Sequence, residues 1–498
     1  MRRVYLDNNA TTPVLPAVRR VIDKTLRNSF GNPSSKYEYG GQAAAIIDGA
    51  RASVAGVIGA SEEEIVFTGS ASEANNHLLV SCVENAPAGR NVIVSSPIEH
   101  PSVLNTLKYL ADNGTIVRYC PVDSYGRIKM DDLAELVDEH TILVCVMLAN
   151  NETGVIQDIP KIARLAHDNG AWLMSDCVQA LGKIPLDMTK LGIDFASFSA
   201  HKVHGPKGVG AVYSRTGLPL APFIHGGHQE SGLRAGTESV HNIAGFGEAC
   251  RHVPAMLAAA GHTSRLRNRL ASGIRAIMPA ARFNSDVKER DRLPNTLNVT
   301  FPGCESEEAI AFLDYKGISV SAGSACNAQV REPSAVLKAL GLDDEAAGQT
   351  LRLSLSDRTS LSDVKYTLEV LRQYLTQTER EVTSLSPSRL NKKLLFDDDV
   401  VIVDVRHGLD RKMLKSLPRS LETSSAQLRT HYGVLPRDKQ IIVICQVGFD
   451  ASLGAYFLRS KGYEKVAFVP GGVVGWRLAH PDLYDMYGGQ DTRPMVGA

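Results

Sequence analysis

The chain predicts an α/β protein in more than one unit. A large domain is organised on a mainly parallel sheet, a small α/β part follows it, and a further α/β domain closes the chain. Three observations predict this. At 498 residues the chain is too long for a single hydrophobic core. From about residue 15 to 250, short apolar runs alternate with helical periodicities, the pattern of a parallel sheet with helices on its faces. After Ser384-Leu385-Ser386-Pro387-Ser388, a turn-rich stretch that reads as a linker, the apolar runs resume.

The elements follow in order. Ile65–Phe67, Val92–Ser95, Ile142–Leu148, Trp172–Ser175, Phe195–Ser199 and Gly210–Tyr213 are short apolar runs and read as strands. Gln42–Ile58 and Ile159–Asp168 have the length and spacing of helices between them. From 251 to 385 the pattern continues in a smaller unit, with strands at Thr296–Phe301 and Leu351–Leu355. Ser360-Leu361-Ser362-Asp363 predicts a capping box, after which Val364, Leu368, Leu371 and Leu375 share one helix face. Beyond a linker at 386–396, Val400–Val405, Ile441–Cys445 and Val466–Val469 read as strands and Ala451–Lys461 as a helix. The expected division is thus 1–385, with a large part at about 15–250 and a small part made of 1–14 and 251–385, then 397–498 as a separate domain.

Composition excludes several function classes. Lys+Arg and Asp+Glu are both 54, so the chain lacks the basic excess of a nucleic-acid polyelectrolyte, and no direct nucleic-acid partner is expected. There is no 18-residue apolar run, so no membrane span is expected. Residues 1–15 turn polar too early for a signal peptide. The cysteines (Cys82, Cys120, Cys145, Cys177, Cys250, Cys304, Cys326 and Cys445) form no Cys-x-x-Cys pair. Their spacing fits neither a metal site nor a disulfide framework, and reduced thiols in a cytoplasm are the natural expectation.

One set of residues carries chemistry. Lys202 lies in Ser199-Ala200-His201-Lys202-Val203-His204-Gly205, directly after a strand, where open α/β sheets place ligands. Asp176 ends the strand from Trp172 and is a candidate partner for a protonated ring nitrogen, with Gln179 three residues on. Gly69-Ser70-Ala71-Ser72-Glu73 stands between a strand and a helix: Ala71 allows close approach, Ser72 adds a hydroxyl, and helix amides there suit a phosphate. Ser199 and His201 flank the lysine and suit the same anion. Each residue alone is weak, since a lone lysine is usually solvated and an Asp at a strand end is often a cap. Their conjunction fits pyridoxal phosphate: an amine to attach it, a carboxylate for the ring and an anion cradle. Cys326, in Ser321-Ala322-Gly323-Ser324-Ala325-Cys326, adds a thiol among small and polar residues.

Seven segments in order then resemble the NifS/IscS-type cysteine desulfurases, fold-type I enzymes of the class-V aminotransferase family. They are Tyr5-Leu6-Asp7-Asn8-Asn9-Ala10-Thr11-Thr12-Pro13, Gly31-Asn32-Pro33-Ser34-Ser35, Glu99-His100, Asn150-Asn151-Glu152-Thr153-Gly154, 199–208, Arg234-Ala235-Gly236-Thr237 and 321–326. The resemblance implies that pyridoxal phosphate is held on Lys202, which also moves the substrate proton. It implies that His100 stacks on the ring, that Asp176, Gln179 and Asn151 hold it, and that Ala71, Ser72, Ser199 and His201 hold the phosphate. Thr237 would reach the phosphate of a second subunit, which implies a homodimer. Arg352, with Asn151, would bind the carboxylate of L-cysteine, a task suited to a guanidinium fork. Cys326 would take the sulfur as a persulfide and pass it to a protein acceptor such as an iron–sulfur scaffold or a tRNA-thiolation protein. A selenocysteine lyase, or another lyase or aminotransferase of the same cofactor, is the alternative. Ser72 stands where a threonine is usual, and Lys36-Tyr37 where a histidine often follows the serines.

The last hundred residues resemble a rhodanese domain. Asp404-Val405-Arg406 matches that family's Asp-x-Arg, Cys445 opens Cys445-Gln446-Val447-Gly448-Phe449-Asp450-Ala451, and Gly471-Gly472 and Trp476 match its glycine pair and tryptophan. The loop lacks the arginine that many rhodaneses carry, and Asp450 sits near its place, so thiosulfate is a poor donor on charge grounds. Loop amides at Cys445 would stabilise a persulfide anion. The expectation is that Cys445 receives sulfur from Cys326; the alternative is a docking module.

Overall fold

The computed structural model describes residues 2–323, 334–376 and 382–495. Cys326 lies outside the described residues. A seven-stranded sheet runs in the order Ile65–Thr68, Gly210–Ser214, Phe195–Ser199, Trp172–Asp176, Thr141–Cys145, Val92–Ser95, Ile116–Tyr119. Gly210–Ser214 is antiparallel to both of its neighbours, and the remaining pairs are parallel. Six of these strands were legible because they are buried almost end to end and read as continuous apolar runs. The seventh, Ile116–Tyr119, is an edge strand with both ends exposed and Arg118 in its middle, so it carries no such signature.

The small part is an antiparallel sheet of Thr350–Ser354, Thr296–Thr300 and Arg282–Phe283, packed against the helices Val253–Ile277 and Leu361–Leu375. The predicted capping box is present: Ser360 Oγ accepts from Asp363 N at 3.1 Å, and Asp363 Oδ2 accepts from Ser360 N at 2.9 Å. The N-terminal segment stitches the two parts together. Val4–Tyr5 pairs with Ile318–Ser319 in the small part, while Thr12 N donates to His201 O at 2.9 Å in the large one.

The C-terminal unit has its own parallel sheet, ordered Thr383–Ser384, Val466–Phe468, Gln440–Ile444, Val400–Asp404, Leu421–Glu422, Arg493–Pro494. The stretch 386–396, expected as a linker, is built into this unit. Leu390 and Leu395 are buried in its core beside Trp476, and the Trp476 Nε1–H donates to Leu390 O at 2.8 Å. Its Ser and Pro residues supplied the linker signal, but Pro387–Arg389 forms a short 3-10 turn and Asn391 caps the helix Lys392–Leu395. The unit is also docked on the small part. Its helix Phe449–Ser460 lies along Ser306–Tyr315, with Tyr456 edge-on to Phe312 at 5.9 Å and tilted against Tyr315 at 5.6 Å. A continuous set of buried apolar side chains runs through this seam from Leu297 and Phe312 to Tyr456 and Val443.

Candidate active site

The C-terminal ends of the parallel strands open onto a cavity of about 320 Å³. Ala71, Ser72, His100, Asn151, Asp176, Gln179, Ser199, His201, Lys202 and Arg352 all line it. Thr237 does not; it faces a separate pocket beside Ser29, Phe30 and His241.

The anion cradle follows from local geometry. Ser70 caps the helix Ala71–Glu84, its Oγ accepting from Glu73 N at 3.1 Å. Glu73 in turn accepts from Gly69 N at 2.8 Å and pairs with Arg234, leaving the amides at the start of the helix directed at the cavity end. Gly210 is required here: a β-carbon on it would lie 2.6 Å from Ser70 C and 2.7 Å from Ala71 N. Burial and then Lys202, Lys207 and Lys183 push the His201 imidazole down to about 4. Its Nδ1 lies 3.1 Å from Thr11 Oγ1.

Asp176 is buried, and its Oδ1 accepts from Val178 N at 3.0 Å. Its Oδ2 accepts from Asn75 Nδ2 at 3.0 Å, and the same amide reaches Ser102 Oγ at 2.9 Å. Ser102 Oγ lies 2.8 Å from His100 Nδ1, which also accepts from Ser102 N at 3.1 Å. Accepting the amide proton at Nδ1 leaves the proton of the neutral ring on Nε2. Burial holds the imidazole below its ordinary pKa; Asp176 opposes this and Lys202 adds to it. Asn75 and Ser102, which link the Asp176 carboxylate to His100, escaped the sequence reading because helix-borne Asn and Ser residues carry no motif.

Lys202 Nζ donates to Asn9 O at 2.6 Å and Ala10 O at 2.7 Å. Gln179 Nε2 donates to the same Asn9 O at 3.0 Å, and its Oε1 accepts from Lys183 Nζ at 2.7 Å. Lys183 was also missed. Burial, then Lys202 and Arg352, push it down to about 7. Arg352 is buried, donating to Asp7 Oδ1 at 2.8 Å and Asn151 O at 3.1 Å. Its Nε is buried and has no partner among the described residues. The donor set therefore fits pyridoxal phosphate: an amide cradle with a hydroxyl, a fixed buried carboxylate, an amine and a guanidinium around one cavity.

The second thiol site is closed. Cys445 follows the strand Gln440–Ile444 and is 3% exposed. Gly448 N donates to its Sγ at 3.0 Å. Loop amides pull the thiol's pKa down, yet burial and, secondarily, Asp450 outweigh them and push it up to about 11. A loop amide thus reaches the sulfur, while burial favours the protonated thiol. Beneath the loop Arg406 is fully buried on Asp404 and donates to Gln446 Oε1 at 3.2 Å and Leu414 O at 3.0 Å. Gly472 closes against the loop, and a β-carbon on it would lie 2.3 Å from Cys445 O.

Comparison with known proteins fits this geometry. Residues 4–367 match the family model Aminotransferase class-V, and 386–479 match Rhodanese-like domain. Cysteine desulfurase IscS of Methanosarcina thermophila is 41% identical over 388 residues, covering 78% of this chain and 95% of that protein. Cysteine desulfurase NifS of Azotobacter vinelandii is 39% identical over 366 residues, covering 73% and 90%. A solved NifS-like protein superposes with a TM-score of 0.71 at 40% identity, over 76% of this chain and all of the other. The chain belongs to the class-V aminotransferase family, whose enzymes are pyridoxal-phosphate-dependent and of fold type I. Within it this protein is a cysteine desulfurase, and it carries a rhodanese-like domain at its C-terminal end.

Proposed function

We propose that the protein converts L-cysteine to L-alanine, catches the sulfur on Cys326, and delivers it to a protein acceptor for iron–sulfur cluster or other thio-cofactor assembly. The observation that carries this is the meeting of Lys202, Asp176, His100 and Arg352 at one cavity beside the helix-capped anion cradle. Pyridoxal phosphate, when bound, supplies the electron sink for charge developing at the substrate α-carbon. Ala71, Ser72, Ser199 and His201 would hold its phosphate, and Asp176 would keep the ring nitrogen protonated. Gln179 and Asn151 would hold the ring from its edges, with His100 on its face.

Arg352 binds the cysteine carboxylate in place of part of its bond to Asp7. Lys202 Nζ removes the α-proton. The Cys326 thiolate attacks the substrate sulfur; the new S–S bond forms as the Cβ–S bond breaks, and the bond pair stays on carbon to take up a proton. The products are alanine and a Cys326 persulfide. We further propose a homodimer in which Thr237 completes the phosphate site of the second subunit, a reading supported by its place outside its own cavity. A cytoplasmic setting is proposed from the cysteine spacing, which fits no disulfide framework; among the described residues no helix is long and apolar enough to cross a membrane.

Cys445 is proposed as a second stop for the sulfur, either in the same chain or across the dimer, where covalent fusion raises the effective concentration. Mass spectrometry of the chain after L-cysteine tests the scheme. Persulfide is expected on Cys326 first, and Cys326→Ala should abolish cysteine turnover; unchanged turnover would favour the selenocysteine-lyase alternative. Cys445→Ser should remove labelled sulfur from the C-terminal unit and leave alanine release intact. Label that persists there would make the unit a docking module only.

A further inference from the structure

Lys183 sits next to the active-site cavity without belonging to it. It does not line the cavity that holds His100, Asp176 and Arg352. It lines a smaller one, of about 40 Å³, which Lys202 and Asn8 also line. Its Nζ donates to two oxygens of a single residue, Gln179 Oε1 at 2.7 Å and Gln179 O at 3.2 Å. A desolvated amine costs stability unless its hydrogen bonds are made. The charged groups that act on Lys183, Lys202 and Arg352, are both cations. Among the described residues the compensating contacts are therefore those with Gln179.

The other end of the Gln179 amide meets a fixed acceptor. Its Nε2 donates to Asn9 O at 3.0 Å, and Lys202 Nζ donates to the same oxygen at 2.6 Å. Asn9 is buried and pinned on several sides. Its N–H donates to Ser354 Oγ at 2.9 Å, its Nδ2 donates to Thr296 Oγ1 at 2.9 Å, and its Oδ1 accepts from Asn295 Nδ2 at 3.0 Å. A backbone carbonyl can only accept, so the amide nitrogen must face Asn9 and the amide oxygen must face Lys183. An ammonium and a neutral amine both donate, so the orientation holds in either protonation state of Lys183. Gln179 and Asn9 line the active-site cavity and Lys183 does not, which puts the donor end of the amide on the cavity side. An amide nitrogen carries a second N–H beyond the one given to Asn9 O, a donor suited to the ring oxygen of pyridoxal phosphate.

We propose that Lys183 is a positioning residue for the cofactor: its amine holds the Gln179 side chain with the amide oxygen turned away from the cavity and the nitrogen turned toward the ring, against a carbonyl shared with Lys202. Lys183 acts only through Gln179. The inference rests on the assignment of Gln179 to the cofactor ring.

The test uses the full-length chain, stripped of pyridoxal phosphate and titrated with it again. The readouts are the Kd for the cofactor and the absorbance maximum of the bound cofactor. Gln179→Leu should raise Kd about tenfold, the worth of one hydrogen bond, and move the maximum. Lys183→Met keeps an unbranched chain without the donor; it should raise Kd about fivefold and move the maximum in the same direction. In the Gln179→Leu background, Lys183→Met should change Kd by less than about twofold and leave the maximum in place. Lys183→Arg keeps a donor and should hold Kd within about threefold. A Lys183→Met loss that persists in the Gln179→Leu background, or a Lys183→Arg chain whose Kd rises further than that, would overturn the role. If Gln179→Leu binds the cofactor like the unsubstituted chain, the assignment of Gln179 falls as well. If Gln179→Leu is impaired and Lys183→Met is not, only the role of Lys183 falls.

Discussion

The Lys202 cavity and the Cys445 loop occupy equivalent places, each beyond the C-terminal ends of parallel strands, yet they are built in opposite ways. The first is open and charged. It surrounds about 320 Å³ with two lysines, an arginine, a carboxylate and two histidines pushed below their usual pKa. The second is closed over one thiol that is 3% exposed and pushed up to about 11. Its one strong ion pair, Asp404 with Arg406, lies under the loop and not in a mouth. The difference teaches a division of labour. A site that binds and releases a small amino acid needs space and directed charge. A site proposed to hold sulfur, as the Cys445 loop is, gains from backbone amides and close packing around the thiol.

Substitutions on either side can break this contrast. The largest effect is expected for Lys202→Ala, which removes the amine proposed both to attach the cofactor and to carry the substrate proton. Alanine formation should fall by about 10³-fold or more, with loss of bound cofactor seen by absorbance. Next is Asp404→Ala, which leaves Arg406 buried and unpaired; chemical denaturation should report about 3–5 kcal/mol lost from the C-terminal unit, with the absorbance of bound cofactor retained. Arg352→Ala should raise the KM for L-cysteine about 10- to 100-fold, the worth of a charged hydrogen-bonded pair.

The smallest effect sharpens the contrast through pH. Only the thiolate is nucleophilic, so alkylation of Cys445 should climb about tenfold per pH unit and level off near its pKa of about 11. Because the Asp450 charge raises that pKa, Asp450→Asn should lower it and bring the levelling point to lower pH, read by mass spectrometry of the alkylated chain.

The two sites were also unequally legible in the sequence. Lys202, Asp176 and the Gly69–Glu73 cradle stand at strand ends, where a change from apolar to polar residues is plain. The linkage from Asp176 through Asn75 and Ser102 to His100 joins three separate segments, and spacing carries no trace of it. Lys183 reads as one more surface lysine until the fold buries it against Gln179. In the C-terminal unit the motif residues were legible, but the closure of the loop was not. It depends on Gly472 and on Arg406 reaching Gln446, contacts between strand ends far apart in the chain. The stretch 386–396 misled because Ser, Pro and Asn serve turns inside a domain as readily as between domains.

The aromatic seam between helices Ser306–Tyr315 and Phe449–Ser460 has a consequence for how the molecule comes apart. Phe312 and Tyr456 are buried, with the partly buried Tyr315 packed on them, in one body that neither unit owns. Melting either half wets the aromatic face of the other, so the small part and the rhodanese-like unit should unfold as one cooperative block. Shortening the chain to the desulfurase alone would leave Phe312 and Tyr315 as a newly exposed apolar patch. The fused unit thus acts as a thermodynamic partner of the enzyme as well as an appended domain.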